Sequence, residues 1–370
     1  MSEVSDNADF AVVSASMKYD GMYADARLVY DIVKGLGHRV NFYQCIDVHQ
    51  KDEFSDFGQM LPGKSIKHTL LETAFNRFFT FPSAIGKLRE DIVIVNEQTL
   101  LNSVGQRKGI VVRILDTLRL GGLQKDVPST LSALFATLIW HRTLARKLTN
   151  AEKLLVPSEF VRREVIKLGA SPASVYVVYS ALSKNRSARF SSKPKELSSD
   201  GIIRCLYVAA DRPHKNIGFF IDMADVVEKS YPGRFEFHLL SNLSHKSRYL
   251  LSSKAHKNLV IHSNVPDTSS LYENADILLF PSRYEGFGRP VIEAMSYGIP
   301  VIANKVGPLA EIMGSAGRLC STDNMQQWIE SLVEMTNDSV YASESLSSRE
   351  NSRRLSENAV ATQLKAALRI

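Results

Sequence analysis

The chain reads as two successive series of short apolar runs, each run followed by a stretch whose apolar residues recur at helical spacing. Residues 10–14 form the first run. A Gly-containing loop, Lys18-Tyr-Asp-Gly-Met-Tyr23, follows. A helix is then predicted over 24–36, with Leu28, Ile32 and Val33 on one face and Gly37 at its end. Residues 40–44 are the next predicted strand. Strand, loop, helix and strand make the repeating unit of a parallel sheet. Runs at 92–95, 110–114, 153–156 and 175–179 continue the first series, with helices predicted over 131–148 and 159–168. The second series has predicted strands at 203–208, 235–240, 259–261, 277–280 and 301–303, and helices near 218–231 and from Pro290. Both halves predict doubly wound α/β domains.

Two stretches break the pattern. Residues 183–200 are polar, basic and Ser-rich, the composition of an interdomain linker, and 339–354 are a second polar, Ser-rich break. Beyond it Val360, Leu364, Ala367 and Leu368 fall on one face of an amphipathic helix. The expected organisation is a first domain over 1–185, a linker over 186–200, a second domain over 201–350 and a C-terminal helix over 351–370 that crosses back to the first domain.

Composition narrows the class. Hydrophobic residues are 44% and charged residues 23% of the chain, which supports two cores and excludes disordered, collagen-like and disulfide-scaffold proteins. Cys45, Cys205 and Cys320 are far apart and odd in number, so neither a disulfide framework nor a zinc site is expected. The histidines show no metal-ligand spacing. No run of about 18 apolar residues predicts a membrane span, and the acidic start MSEVSDNADF lacks the pattern of a secretory signal. The expectation is a cytoplasmic protein. A net charge of +6 permits an anionic partner, whether nucleotide phosphates or a phospholipid surface; no nucleic-acid motif appears, and nucleic acid is not expected.

The chemistry concentrates in Pro281-Ser-Arg-Tyr-Glu-Gly-Phe-Gly-Arg-Pro-Val-Ile-Glu293. A strand ends at Phe280, a loop carries Gly286 and Gly288, and Pro290 is placed to open a helix. A Gly-rich loop leading into a helix N-terminus suits phosphate, because the terminus carries unpaired N–H groups and partial positive charge. Glu285 lies in the loop and Glu293 is read into the first turn of the helix. A carboxylate accepts from paired sugar hydroxyls. Each glutamate alone also fits a solvated loop residue or a partner of the helix dipole.

This arrangement resembles the Glu-x(7)-Glu motif of the family 4 retaining glycosyltransferases. The resemblance is close from Ala275 to Gly317, including Ala275-Asp-Ile-Leu-Leu-Phe-Pro-Ser282 before the motif and Ala303-Asn-Lys-Val-Gly-Pro-Leu after it, and weaker over 156–328. It implies a GT-B fold, two Rossmann-like doubly wound domains facing a cleft. It implies transfer of a sugar from a nucleotide diphosphate-sugar co-substrate to a glycan or lipid-linked acceptor, with retention at the anomeric carbon and no other cofactor. By the same resemblance Glu293 binds the donor ribose, Glu285 meets the donor sugar, and Gly286, Phe287, Gly288, Val306 and Val265 lie along the donor. Lys215, followed by Asn216, is in register with the family's diphosphate lysine. The family's arginine stands five or six residues earlier, where this chain has Ala209 and Ala210; Arg212 is the cation available to replace it. Where many members carry His-Asp near the sugar, this chain has Leu115-Asp116, so Asp116 keeps a sugar or acceptor role and the histidine is missing. Two other readings stay open, a non-catalytic nucleotide-sugar-binding scaffold and a GT-B nucleotide-sugar epimerase.

Tyr19, Asp20 and Gly21 follow the first strand and are placed on the acceptor side. No Asp-x-Asp occurs, so no metal is expected on the diphosphate. The basic, Phe-rich stretch Lys64 to Phe81, with Lys67, Arg77, Phe75, Phe78 and Phe79, suits peripheral contact with a membrane.

Overall fold

The computed structural model describes residues 8–15, 21–46, 58–62, 64, 76–96, 98–117, 146–182, 193–244, 247–248 and 257–370. They form two units, Met1–Ala181 with Glu357–Ile370, and Leu182–Ser356.

The first unit holds a parallel sheet in the order β3-β2-β1-β4-β5-β6-β7, built from Phe10–Ser14 (β1), Val40–Ile46 (β2), Gln59–Pro62 (β3), Ile92–Val95 (β4), Ile110–Arg113 (β5), Lys153–Val156 (β6) and Val175–Val177 (β7). The strands are continuous apolar runs because both faces are covered. Ala11, Val13, Val93, Val95 and Val112 pack into one core layer; Phe10, Val12, Ile92, Ile94 and Val111 pack into the other. The helices include Gly21–Gly35 (α1), Phe81–Ile85 (α2) and Glu159–Lys167 (α3), the last capped by the Ser158 hydroxyl on the Val161 N–H. Gly21 is thus the first residue of a helix, not part of a loop that runs to Tyr23. Tyr19 and Asp20 lie outside the described residues, as does most of the predicted helix over 131–148.

One buried ion pair ties three elements of this unit together. Arg113, at the end of β5, donates from Nε and Nη2 to the two carboxylate oxygens of Asp25 on α1, at 2.6 and 3.1 Å. Its remaining donors reach the carbonyls of Val178 and Tyr179, at 2.8 and 3.2 Å, and Ser180 Oγ donates to Asp25 at 2.6 Å. A fork held on all sides this way satisfies a guanidinium that burial would otherwise penalise.

The second unit holds a parallel sheet in the order β10-β9-β8-β11-β12-β13, from Ile203–Val208 (β8), Phe235–Leu240 (β9), Leu259–His262 (β10), Ile277–Phe280 (β11), Val301–Asn304 (β12) and Arg318–Cys320 (β13). Counted by first appearance, this is the 3-2-1-4-5-6 order of a doubly wound nucleotide-binding sheet. Helices Ile217–Ser230 (α4), Ser269–Asn274 (α5), Arg289–Ser296 (α6), Leu309–Met313 (α7) and Met325–Glu334 (α8) connect the strands or follow them.

The expected break over 339–354 is instead a helix, Asp338–Arg353 (α9). Asn337 caps it by accepting from the N–H groups of Ser339 and Val340. Ser345, Ser348 and Ser352 are fully buried on this helix. Ser352 Oγ donates to the carbonyl of Arg349, three residues back, so a small side chain turns its polarity onto its own helix. Gly298, at φ +74°, follows the end of α6, and a Cβ there would overlap the Arg349 guanidinium and lie 2.9 Å from Ser345 Oγ. Residues 193–200 likewise lie against the second unit: Ser198 donates from N and Oγ to Asp276, and Lys195 N donates to Ser345 Oγ.

The last helix, Glu357–Leu368 (α10), belongs to the first unit. Val360, Leu364, Ala367 and Leu368 are its buried face and join the core layer of Phe10 and Val12. Lys153 on β6 donates from Nζ to the Ala367 carbonyl at 2.6 Å, satisfying one of the orphan acceptors of the helix end. Burial, with Arg369 nearby, pulls that ammonium below its usual range.

Replacing Asp25 by Ala strands a buried guanidinium and is expected to cost about 3–5 kcal/mol. Urea unfolding followed by circular dichroism measures this; an unchanged midpoint would contradict the role assigned to the pair.

Candidate functional site

In a doubly wound sheet the crossovers diverge between the first and fourth strands, and ligands bind beyond the carboxyl ends there. In the second unit these strands are β8 and β11. The loops that leave them carry the residues the motif singled out.

The loop after β8 is shaped by its own hydrogen bonds. Asp211 accepts from Ser244 N and Ser247 Oγ at 2.9 and 2.7 Å. Burial works against its ionised form, but these donors outweigh it and hold the carboxyl below its usual range. Pro213–Lys215 make one 3-10 turn, with Lys215 N on the Arg212 carbonyl at 2.9 Å. Asn216 follows in the left-handed conformation, φ 55°, and its side chain donates to the Pro281 carbonyl at 3.2 Å in the loop after β11. The backbones are joined again by Arg283 N on the His214 carbonyl at 2.7 Å.

Tyr207, the fifth residue of β8, fastens the two loops from below. Its hydroxyl donates to the Lys215 carbonyl and lies 3.0 Å from Ser282 Oγ. The side chain of Asn304, at the end of β12, donates to the Ser282 carbonyl at 3.0 Å. Burial pushes the Tyr207 phenol far above its usual range, so it stays protonated as a donor.

This frame brings Lys215 Nζ to 2.7 Å from Glu285 Oε1. Glu285 is only 7% exposed, while the Lys215 side chain is 21% exposed and opens to solvent. A carboxylate this buried needs a partner, and Lys215 is that partner. His214 beside them is depressed below its usual range by burial first and by Lys215 second. Arg212 is exposed.

Past Glu285, Phe287 is buried and Gly288, at φ +99°, caps α6. A Cβ at Gly288 would sit 2.9 Å from Leu309 Cδ2, so the tight entry into the helix requires glycine. Gly286 does not share the positive φ. The helix begins at Arg289, which makes Glu293 its fifth residue, in the second turn and not the first. The Glu293 side chain is 15% exposed; Arg289 Nη2 is 3.9 Å from its Oε1, and Tyr272 donates to its Oε2 at 2.9 Å. Val306 is half-buried after β12, and Val265 is half-buried in the segment after β10.

The remaining expected residues belong to the first unit. Asp116 is half-buried in the segment after β5, and Gly21 opens α1. Asn96, at the end of β4, donates to the Met22 carbonyl at 3.1 Å and so fixes the start of that helix. In the basic, Phe-rich stretch, Lys67, Phe75 and the Phe78 side chain lie outside the described residues. Phe81 is core, and Arg77 donates inward to the Ala15 carbonyl at 2.6 Å, so neither presents itself to a surface. Lys64 is exposed and Phe79 is 62% exposed.

Residues 203–338 match the family described as glycosyl transferases group 1. The O-antigen chain mannosyltransferase B of Escherichia coli is 28% identical over 198 residues, 50% of this chain and 51% of that protein. The lipopolysaccharide core biosynthesis mannosyltransferase LpsB of Rhizobium meliloti is 31% identical over 107 residues, 27% of this chain and 30% of that protein. The chain spans 51% and 65% of the length of the first curated relatives it matches. Among solved structures, that of Anabaena Alr3699/HepE in complex with UDP and glucose has a TM-score of 0.74 at 16% identity, over 98% of this chain and 99% of that one. Staphylococcus aureus TarM also reaches 0.74, at 11% identity over 98% and 99%. These likenesses establish the fold as GT-B.

Tyr207→Phe removes the hydroxyl that bridges the two loops and leaves buried acceptors short of a donor. It is expected to destabilise the protein by about 1–3 kcal/mol. A thermal-unfolding midpoint equal to wild type would show that the bridge contributes nothing.

Proposed function

We propose that this chain, whose residues 203–338 match the group 1 glycosyltransferases, transfers a sugar from a nucleotide diphosphate-sugar to an acceptor hydroxyl, with retention and without a metal. The observation that carries the reading is the Lys215–Glu285 pair at the divergence point of the second sheet, beside the glycine-capped end of α6.

In this reading the diphosphate lies between Lys215 and the amino end of α6. The ammonium and the helix dipole stabilise the charge that develops as the bond from the anomeric carbon to the diphosphate oxygen breaks. The acceptor oxygen bonds to the same carbon, and its proton passes to the departing diphosphate. Glu285, already fixed by Lys215, accepts from hydroxyls of the donor sugar. Gly286, Phe287, Gly288, Asn216, Val306 and Val265 line the donor, and Glu293 takes the ribose. Asp116, with Tyr19, Asp20 and Gly21, serves the acceptor, a glycan or a lipid-linked saccharide. Contact with a membrane that carries such an acceptor would run through Lys64 and Phe79.

What supports the donor class is the motif, the family match and the UDP held by the Anabaena protein. A panel of nucleotides and nucleotide-sugars read by thermal shift tests it first, since a ligand that binds the native state raises the melting temperature by mass action. Transfer to an added acceptor then separates a transferase from a scaffold or an epimerase. A chain that binds no member of the panel does not have this function.

Lys215→Ala is expected to reduce transfer far more than Arg212→Ala, because Lys215 touches Glu285; equal losses would move the diphosphate contact to Arg212. Transfer is also expected to persist in EDTA. Complete loss that Mg²⁺ restores would replace the metal-free mechanism.

A further inference from the structure

Glu293 does not stand alone on α6. The helix α5 that precedes β11 places Tyr272 against it, fully buried, with the phenol donating to Glu293 Oε2 at 2.9 Å. The Tyr272 ring is itself held by Tyr297, just past the end of α6, with ring centroids 5.4 Å apart and planes 22° apart. On the other side Arg289, one turn earlier on the helix, brings Nη2 within 3.9 Å of Oε1. A glutamate on a helix surface ordinarily samples several rotamers, and a ligand that needs one of them must order it on binding. Here a hydrogen bond to a charged acceptor, stronger than a neutral one, orders the carboxylate beforehand.

We propose that Tyr272 is a positioning residue that presets the Glu293 carboxylate for the paired hydroxyls of the donor's ribose. This rests on the reading that Glu293 takes the ribose. Tyr272 never meets the nucleotide. It fixes one oxygen and the plane of the carboxylate, so that the acceptor lone pairs left to it face two adjacent hydroxyls together. Preorganisation of this kind acts most on ligands that carry both hydroxyls and much less on one that lacks the 2′-hydroxyl.

Tyr272→Phe keeps the ring and its stack on Tyr297 and deletes only the donor. Calorimetry on the full chain, with UDP and 2′-deoxy-UDP and with GDP and 2′-deoxy-GDP alongside, reads the effect. Wild type should favour the ribonucleotide. Tyr272→Phe should weaken ribonucleotide binding roughly three- to tenfold, the scale of ordering one side chain, and change deoxynucleotide binding much less. Adding Tyr272→Phe to Glu293→Ala should change nothing further. Tyr272→His, which returns a ring N–H, should recover part of the preference and serves as the second variant if Tyr272→Phe does not fold. Equal weakening of both nucleotide forms by Tyr272→Phe, or no weakening of either, overturns the proposal while Glu293→Ala still removes the preference. If Glu293→Ala keeps the wild-type preference, the ribose reading itself is wrong and the role of Tyr272 falls with it.

Discussion

The second unit is organised around one hydroxyl. Tyr207 stands in the middle of a parallel sheet, in edge-to-face contact with Phe280 (centroids 5.7 Å apart, planes 88°) and packed on Phe220. In that setting an unmet hydroxyl is costly, and among the described residues its partners are the backbone of one loop and the side chain of another. The loops after β8 and β11 are therefore not independent. Moving either one breaks a bond inside the core. Asn216 and Arg283 repeat the same join nearer the surface. The spacing of Lys215 and Glu285 follows from this joint and needs little from the two side chains themselves, which is what a site must have if it is to meet developing charge without first rearranging.

The first unit uses the same sheet order to a different end. Its strongest electrostatic feature, Arg113 with Asp25, is fully enclosed and saturated by carbonyls and a serine. A charge buried and paired in that state is closed to a ligand. In the second unit the Lys215 side chain keeps 21% of its surface open to solvent. The contrast separates ionic groups that lock a fold from ionic groups that can exchange partners, and it follows from burial and from the number of acceptors around each cation, not from residue type.

Much of this architecture is legible in the sequence, for a physical reason. Parallel strands covered on both faces must be apolar throughout, and Ile92–Val95, Ile110–Arg113 and Ile277–Phe280 are marked by that alone. Gln59–Pro62 and Arg318–Cys320 escape notice because they are short edge strands with polar positions. The Ser-rich stretch over 339–354 misleads because composition counts a serine as polar, whereas Ser352 hides its hydroxyl on the backbone of its own helix. At the site, Lys215 and Glu285 are legible only through their register in the family's motif, since a loop lysine or glutamate alone fits a solvated surface, and Gly288 is legible through its place between a strand and a helix. Tyr207, Ser282, Asn304 and Tyr272 are not, because each depends on a partner supplied by a different element. Tyr207 and Ser282 are 75 positions apart, and nothing local in the chain announces the pair.

The helix Glu357–Leu368 completes a core layer whose other members occur before residue 182. On the ribosome, that layer is open from the time residue 181 emerges until the helix over 357–368 is made. At about 5–20 residues per second this interval is on the order of ten to forty seconds, during which the whole of the second unit is synthesised and free to fold. The first of the two units to be translated is thus the later one to become whole. The faces of α1 and β7 that this helix packs on stay uncovered for that interval, and they are the surface a nascent-chain chaperone would have reason to hold.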